Sequence, residues 1–164
     1  MGLEDIRKRY KPDKIKIFFA GESVPAGGNF FYMGDSLTEH TKQAFERAFR
    51  RSFDDCEDFL NFFKQMDCYL DDLSLIPVNR MEPKEREKTL KRSINGFSKK
   101  LDSYSPEIII IIMKKIKKHV LEAVGKSGLN NVCIHTLPYP CYSMSNRTRY
   151  VDDLVKILKR YFDC

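Results

Sequence analysis

No apolar run in this 164-residue sequence approaches the roughly 20 residues that cross a bilayer, so no membrane partner is expected. Met1 to Pro12 is charged and lacks the hydrophobic stretch of a secretory signal, which makes the cytoplasm the expected location. The five cysteines (Cys56, Cys68, Cys133, Cys141 and Cys164) are an odd number and contain no Cys-x-x-Cys pair. That pattern argues against a disulfide scaffold, a zinc ribbon or an iron–sulfur cluster, and favours ordinary buried thiols. No metal and no other cofactor is expected. Repeats, low-complexity segments and linkers are missing too, so residues 1–164 read as one domain. A hydrophobic content of 42% excludes a disordered chain.

What is present in excess is positive charge, +6 with a pI near 9. Basic residues concentrate at Arg7–Lys16, Lys84–Lys100, Lys114–Lys118 and Arg147–Arg160. Such a domain suits nucleic acid through phosphate contacts. The alternative is a solvated surface with a modest lysine excess.

Four short β-branched or aromatic runs predict strands over Lys14–Ala20, Cys68–Leu73, Glu107–Met113 and Asn131–Thr136. Between them lie helical patterns. Thr38–Phe53 places Ala44, Phe45, Ala48 and Phe49 on one face, and Glu57–Met66 gathers Phe59, Leu60 and Phe63. Pro83–Leu101 repeats Leu90, Ile94, Phe97 and Leu101, with Pro83 suited to a first helical position. Lys114–Val124 ends at Gly125, a C-terminal stop, and Tyr150–Phe162 carries Leu154, Val155, Leu158 and Tyr161. Strands alternating with helices predict parallel pairing through right-handed crossovers. The expected fold is α/β, a three-layer α/β/α sandwich around a mostly parallel four-stranded sheet.

The most informative junction follows the first strand: Gly21-Glu22-Ser23-Val24-Pro25-Ala26-Gly27-Gly28-Asn29-Phe30-Phe31-Tyr32. A loop at the carboxyl end of a sheet strand is where open α/β folds place ligands. Its glycines admit close backbone approach and its aromatics offer flat surfaces. Next comes Gly34-Asp35-Ser36-Leu37-Thr38, which spells the block of the GDSL hydrolases, whose serine is a nucleophile. Ser36-Leu37-Thr38-Glu39 also reads as a capping box opening a helix. A nucleophilic serine needs a base and an orienter, and Tyr150–Val155 has no histidine near Asp152 or Asp153. The esterase is therefore an alternative, behind the cap.

Gly21-Glu22-Ser23-Val24-Pro25 resembles the Gly-Glu-Ala-Pro-Gly motif of the uracil-DNA glycosylase superfamily. Val132-Cys133-Ile134-His135-Thr136-Leu137-Pro138-Tyr139-Pro140 resembles its second motif, a strand ending in His-Pro-Ser-Pro. Cys68-Tyr69-Leu70-Asp71-Asp72-Leu73 takes the place of the strand that ends in a base-reading asparagine. The three stand in the family's order over nearly the whole chain. The resemblance implies a DNA-repair glycosylase, DNA as partner, and action as a monomer. Such an enzyme flips a nucleotide into a pocket and hydrolyses its N-glycosidic bond. The implied catalytic residues are Glu22, Ser23 and His135, with His135 bonding a carbonyl of the leaving base. The implied base pocket is Gly21, Pro25, Phe31, Tyr32, Asp71 and Asp72, with Phe30 a further stacking candidate. Leu137, Pro138, Tyr139 and Tyr142 stand where the family carries a wedge. Asn146, Arg147 and Arg149 open the last helix and suit phosphate; the plainer reading is capping by Ser145 or Asn146.

Three departures matter. Ser23 stands where many members carry a water-activating Asp or Asn. Glu22 is then either the base or a hydrogen-bonded structural carboxylate. The reading asparagine is replaced by Asp71 or Asp72, and an ionised aspartate only accepts hydrogen bonds. Such a reader suits an amino group or a purine N1–H better than uracil. The cysteine cluster of some branches is absent. A non-catalytic nucleic-acid or nucleotide binder of the same fold is the second functional class.

Overall fold

The structure, a computed structural model, describes residues 1–164. Four parallel strands form one sheet in the order β2-β1-β3-β4, with β1 Ile17–Ser23, β2 Cys68–Ser74, β3 Ile108–Ile111 and β4 Cys133–Thr136. The six α-helices are α1 Leu3–Arg9, α2 Ser36–Phe49, α3 Cys56–Gln65, α4 Pro83–Tyr104, α5 Lys117–Lys126 and α6 Met144–Tyr161. No helix is long and apolar enough to cross a membrane.

Alternation along β1 builds both halves of the core. Phe18 packs against Phe97 and Tyr104 of α4 on one face, while Phe19 packs against Phe63 of α3 on the other. Helices α4 and α5 share the first face; α2, α3 and α6 share the second. The second face is densely aromatic, with Phe45 against Phe49, Phe59 and Phe63. The crossovers after β1 and β3 leave on opposite faces, so the topological switch lies between these neighbouring strands.

The sequence placed several boundaries differently. Strand β1 starts and ends three residues later than Lys14–Ala20, because β2 pairs with Gly21 through Asp72 and with Ser23 through Ser74. Gly21, Glu22 and Ser23 therefore belong to a rigid strand and not to the loop. Lys114–Ile116 is a 3-10 turn and α5 runs through Gly125 to Lys126, with Ser127 as its cap. Helix α6 starts six residues before Tyr150. Its cap is Ser143, whose hydroxyl accepts from the Asn146 amide at 3.1 Å, and not Ser145 or Asn146. Only Cys68 is buried; Cys133, Cys141 and Cys164 are exposed, so the thiols are not uniformly core residues. Helix α1 was not anticipated at all.

The cap of α2 is Asp35, not Ser36. The Asp35 carboxylate accepts from the Thr38 amide at 2.9 Å, and Ser36 is the first helical residue. Just upstream, Gly34 takes φ 81°, a conformation that costs a residue with a Cβ. Asp35→Ala should lower stability by about 1 kcal/mol, whereas Ser36→Ala should leave it nearly unchanged. Chemical denaturation of the two variants checks this ordering.

Candidate functional site

Side-chain parity sorts the conspicuous residues of β1 and β2. Glu22 shares the face of Phe18 and meets α4. Gly21 shares the opposite face and looks across to its register partner Asp72. On β2, Asp71 points to α4 and Asp72 to the other side. At the carboxyl ends of β1 and β2, and just past β3, a cavity opens between Gly21, Glu22, Pro25, Phe30, Phe31, Asp72 and Tyr139. Ser23, Val24, Asp35, Leu37, Leu70, Ile112 and Met113 complete its wall. About 50 Å³ is reachable by the centre of a water molecule. Gly21 is obligatory here, since a Cβ at that position would overlap Asp72 Oδ1.

Two arginines hold the carboxylates. Arg7 of α1, 2% exposed, reaches around the outer edge of β2 and pairs with Asp71 Oδ1 and with Asp72 Oδ2, the latter at 3.1 Å. Asp71 is filled completely: Oδ1 also accepts from the Asp72 amide at 2.7 Å, and Oδ2 accepts from Tyr104 at 2.8 Å and Lys100 at 3.1 Å. Burial and the neighbouring Tyr69 push the Tyr104 phenol up to about 12, so it stays a donor. Asp72 differs. Its Oδ1 takes no hydrogen bond from the protein and lies against Gly21 at the cavity wall. Burial pushes its carboxyl above the ordinary range, with Arg7 acting in opposition. Glu22 is gripped at both oxygens by Arg86 of α4, with Arg86 Nε to Oε2 at 2.9 Å and a second bond to Oε1.

The other expected site residues divide. Ser23 Oγ accepts from the Val78 amide at 3.1 Å, tying the β2–α4 loop to β1; it is a structural hydroxyl. Tyr32 is outside the cavity. Its ring stacks on Tyr10 at 5.6 Å and 8°, and its hydroxyl bonds both the amide and the carbonyl of Leu70. Asp71 faces α4 and is not a reader. His135 does not reach the cavity either. It pairs in register with Ile110, which pairs with Phe19, so it sits two strands from β1 and two residues short of Gly21. There Nε2 bonds the Tyr161 hydroxyl at 2.9 Å, beside Asp153 and Lys156. Desolvation and Arg160 lower its pKa. Leu137 is buried in the core, which removes it as a wedge.

Four residues on from His135, Tyr139 does line the cavity. Its ring meets Tyr142 edge-on at 4.9 Å, and its carbonyl accepts from Asn146 Nδ2 at 3.2 Å. Tyr142 is 53% exposed, lies under the Lys115 ammonium at 5.3 Å and is followed by Met144, 75% exposed. The β3–α5 and β4–α6 loops thus meet at the mouth. Pro138, Arg147 and Arg149 make no hydrogen bond or ion pair through their side chains. No group of His, Cys, Asp and Glu is arranged to hold a metal ion. Ser36 has no histidine bonded to it, and His40, one turn further along α2, makes no hydrogen bond.

No protein-family model matches the chain, and no curated protein matches it.

Three residues central to the site escaped the sequence reading: Arg7, Arg86 and Lys100. Each sits inside a basic stretch and looks like surface charge. The available signal was the pair Asp71-Asp72 in a buried strand, which demands counter-charge on both faces of the sheet. Arg7→Gln should cost about 3–5 kcal/mol, because it strands two buried carboxylates. Urea unfolding measures this, and a loss under 1 kcal/mol would contradict the keystone role.

Proposed function

We propose that this protein is a DNA N-glycosylase: it takes one flipped base into the cavity and hydrolyses its glycosidic bond. The observation that carries the reading is the cavity itself, at the carboxyl ends of neighbouring parallel strands, with aromatic rings and the differently held carboxylates of Glu22 and Asp72 in its wall beside the helix-capping Asp35. Phe30 and Phe31 supply the apolar surface for the ring. Asp72 Oδ1 accepts from the base edge. Glu22, fixed in direction by Arg86, orients the attacking water. Tyr139 takes the part first given to His135. Burial raises its phenol further above neutrality, so it keeps its proton and remains a hydrogen-bond donor for charge on the departing base. Tyr142 and Met144 are the exposed side chains that would fill the vacated stack, and Lys114, Lys115, Lys117, Lys118, Arg147 and Arg149 would meet phosphates.

A second reading rests on a specific observation. Both oxygens of Glu22 are engaged by Arg86 and His135 is elsewhere, which suits a protein that binds a base without cleaving it. Base release from a panel of modified duplexes, with protein in excess, decides between the two. For the enzyme, wild type should release a base and Glu22→Gln should slow release by about 10²-fold or more. Retention of every base together with tight DNA binding assigns the second reading.

Under either reading, DNA affinity should fall with salt at a log–log slope of about −0.9 per phosphate contacted. Fluorescence anisotropy between low and physiological ionic strength measures the slope. A flat dependence would remove DNA as the partner.

A further inference from the structure

The cavity has one hydrogen-bonding feature that selects among bases. Asp72 is nine-tenths buried at the side chain, and its two oxygens are in unlike settings. Oδ2 is held by Arg7 at 3.1 Å; Oδ1 takes no hydrogen bond from the protein and lies against Gly21, and both residues line the cavity. Paired with Arg7, Asp72 is an ion pair, and in that ionised form the free oxygen is a pure acceptor. A ligand that leaves it unpaired, or turns a carbonyl toward it, loses the full cost of a buried unsatisfied group. A ring that presents an N–H₂ does not.

Size adds a second constraint. A single water needs roughly 10–15 Å³ of space open to its centre, so the 50 Å³ here corresponds to about four waters. At a liquid share near 30 Å³ each, that is on the order of 120 Å³. This is the room of one six-membered ring with its substituents, in a cavity that opens to solvent. Phe30, Phe31, Leu70 and Ile112 supply apolar wall, alongside the carboxylates of Glu22, Asp35 and Asp72 and the hydroxyl-bearing Ser23 and Tyr139.

We propose that the ligand of this cavity is an amino-bearing single-ring pyrimidine, of the cytosine type, donating its exocyclic N–H to Asp72 Oδ1. The proposal rests on the base-binding reading above and names its substrate class. Uracil and thymine are disfavoured because the only N–H on their outer edge is flanked by two carbonyls, which face the carboxylate. Adenine carries the amino group, but its second ring would extend from the slot into the open mouth. Asp72→Asn, which keeps the shape and supplies a donor, should reverse the preference between the two pyrimidines.

The test is ligand-observed NMR on the wild-type protein with cytidine, uridine and adenosine, repeated on Asp72→Asn. Wild type should bind cytidine at least about tenfold more tightly than uridine, since unpaired buried polar groups discriminate strongly. Asp72→Asn should bring uridine level with cytidine or above it. Equal binding of cytidine and uridine by wild type, tighter binding of adenosine, or no cytidine binding at millimolar concentration would each overturn the proposal. If Asp72→Asn fails to fold, the wild-type comparison alone decides. Binding is read without cleavage, so the two readings fail separately. Cytidine preference with no base release from DNA defeats the glycosylase and leaves this assignment standing. Release of uracil or of a purine from DNA, with cytosine analogues untouched, defeats this assignment and leaves the glycosylase standing.

Discussion

The guanidinium of Arg7 holds together parts of the molecule that have no other reason to meet. Asp71 and Asp72 are consecutive in β2, so strand geometry sends their carboxylates to opposite faces of the sheet. Only a cation at the open edge of β2 reaches both, and α1 places Arg7 there. The same helix is anchored by the Tyr10–Tyr32 stack, by Arg9 on Glu57 of α3 and by Lys11 over the Tyr104 ring of α4. Tyr32 in turn bonds the amide and carbonyl of Leu70. The free edge of β2 is thereby closed to strand addition by side chains, a protection that edge strands need. Without Arg7 the two carboxylates would stand buried beside each other, and both the edge and the cavity wall depend on them.

Much of the fold was legible because it rests on local patterns. Short β-branched or aromatic runs located all four strands, and Phe45, Phe59, Phe63 and Phe97 marked the helix faces that cover them. The all-parallel order followed from alternation. What was not legible depends on register and on distance along the chain. Nothing near Ser23 tells that Ser74 pairs with it and extends β1 by three residues. Nothing near Leu3–Arg9 distinguishes a short docked helix from a charged terminus, because its stability comes from tertiary contacts and not from propensity.

The candidate site shows the same division. Gly21, Glu22, Pro25, Phe31 and Asp72 converge on the cavity as the motif order implied. His135 does not, although its motif is adjacent to a residue that does. The cause is the offset of β4, which pairs His135 with Ile110, so the cavity is reached only by the loop that follows. A motif read along the chain cannot tell a strand residue from a loop residue four places later; the ladder decides it. Tyr139 is the beneficiary, and its resting bond network with Tyr142 and Asn146 couples the cavity to the mouth.

The contrast between the two aspartates bears most directly on function. Asp71 accepts four hydrogen bonds and has no capacity left, which is what a buried structural carboxylate requires. Asp72 is buried too, though less fully, and one of its oxygens takes no hydrogen bond and lies against Gly21, where a Cβ would overlap it. A chain selected only for stability would fill that oxygen or replace the residue, since a buried charge with an unused acceptor is costly. Glu22 follows Asp71 in being held at both oxygens, though by one partner. The cavity therefore contains one carboxylate whose direction is fixed and one whose acceptor is offered. That is the division of labour a base pocket needs between the group that works on the bond and the group that reads the ring.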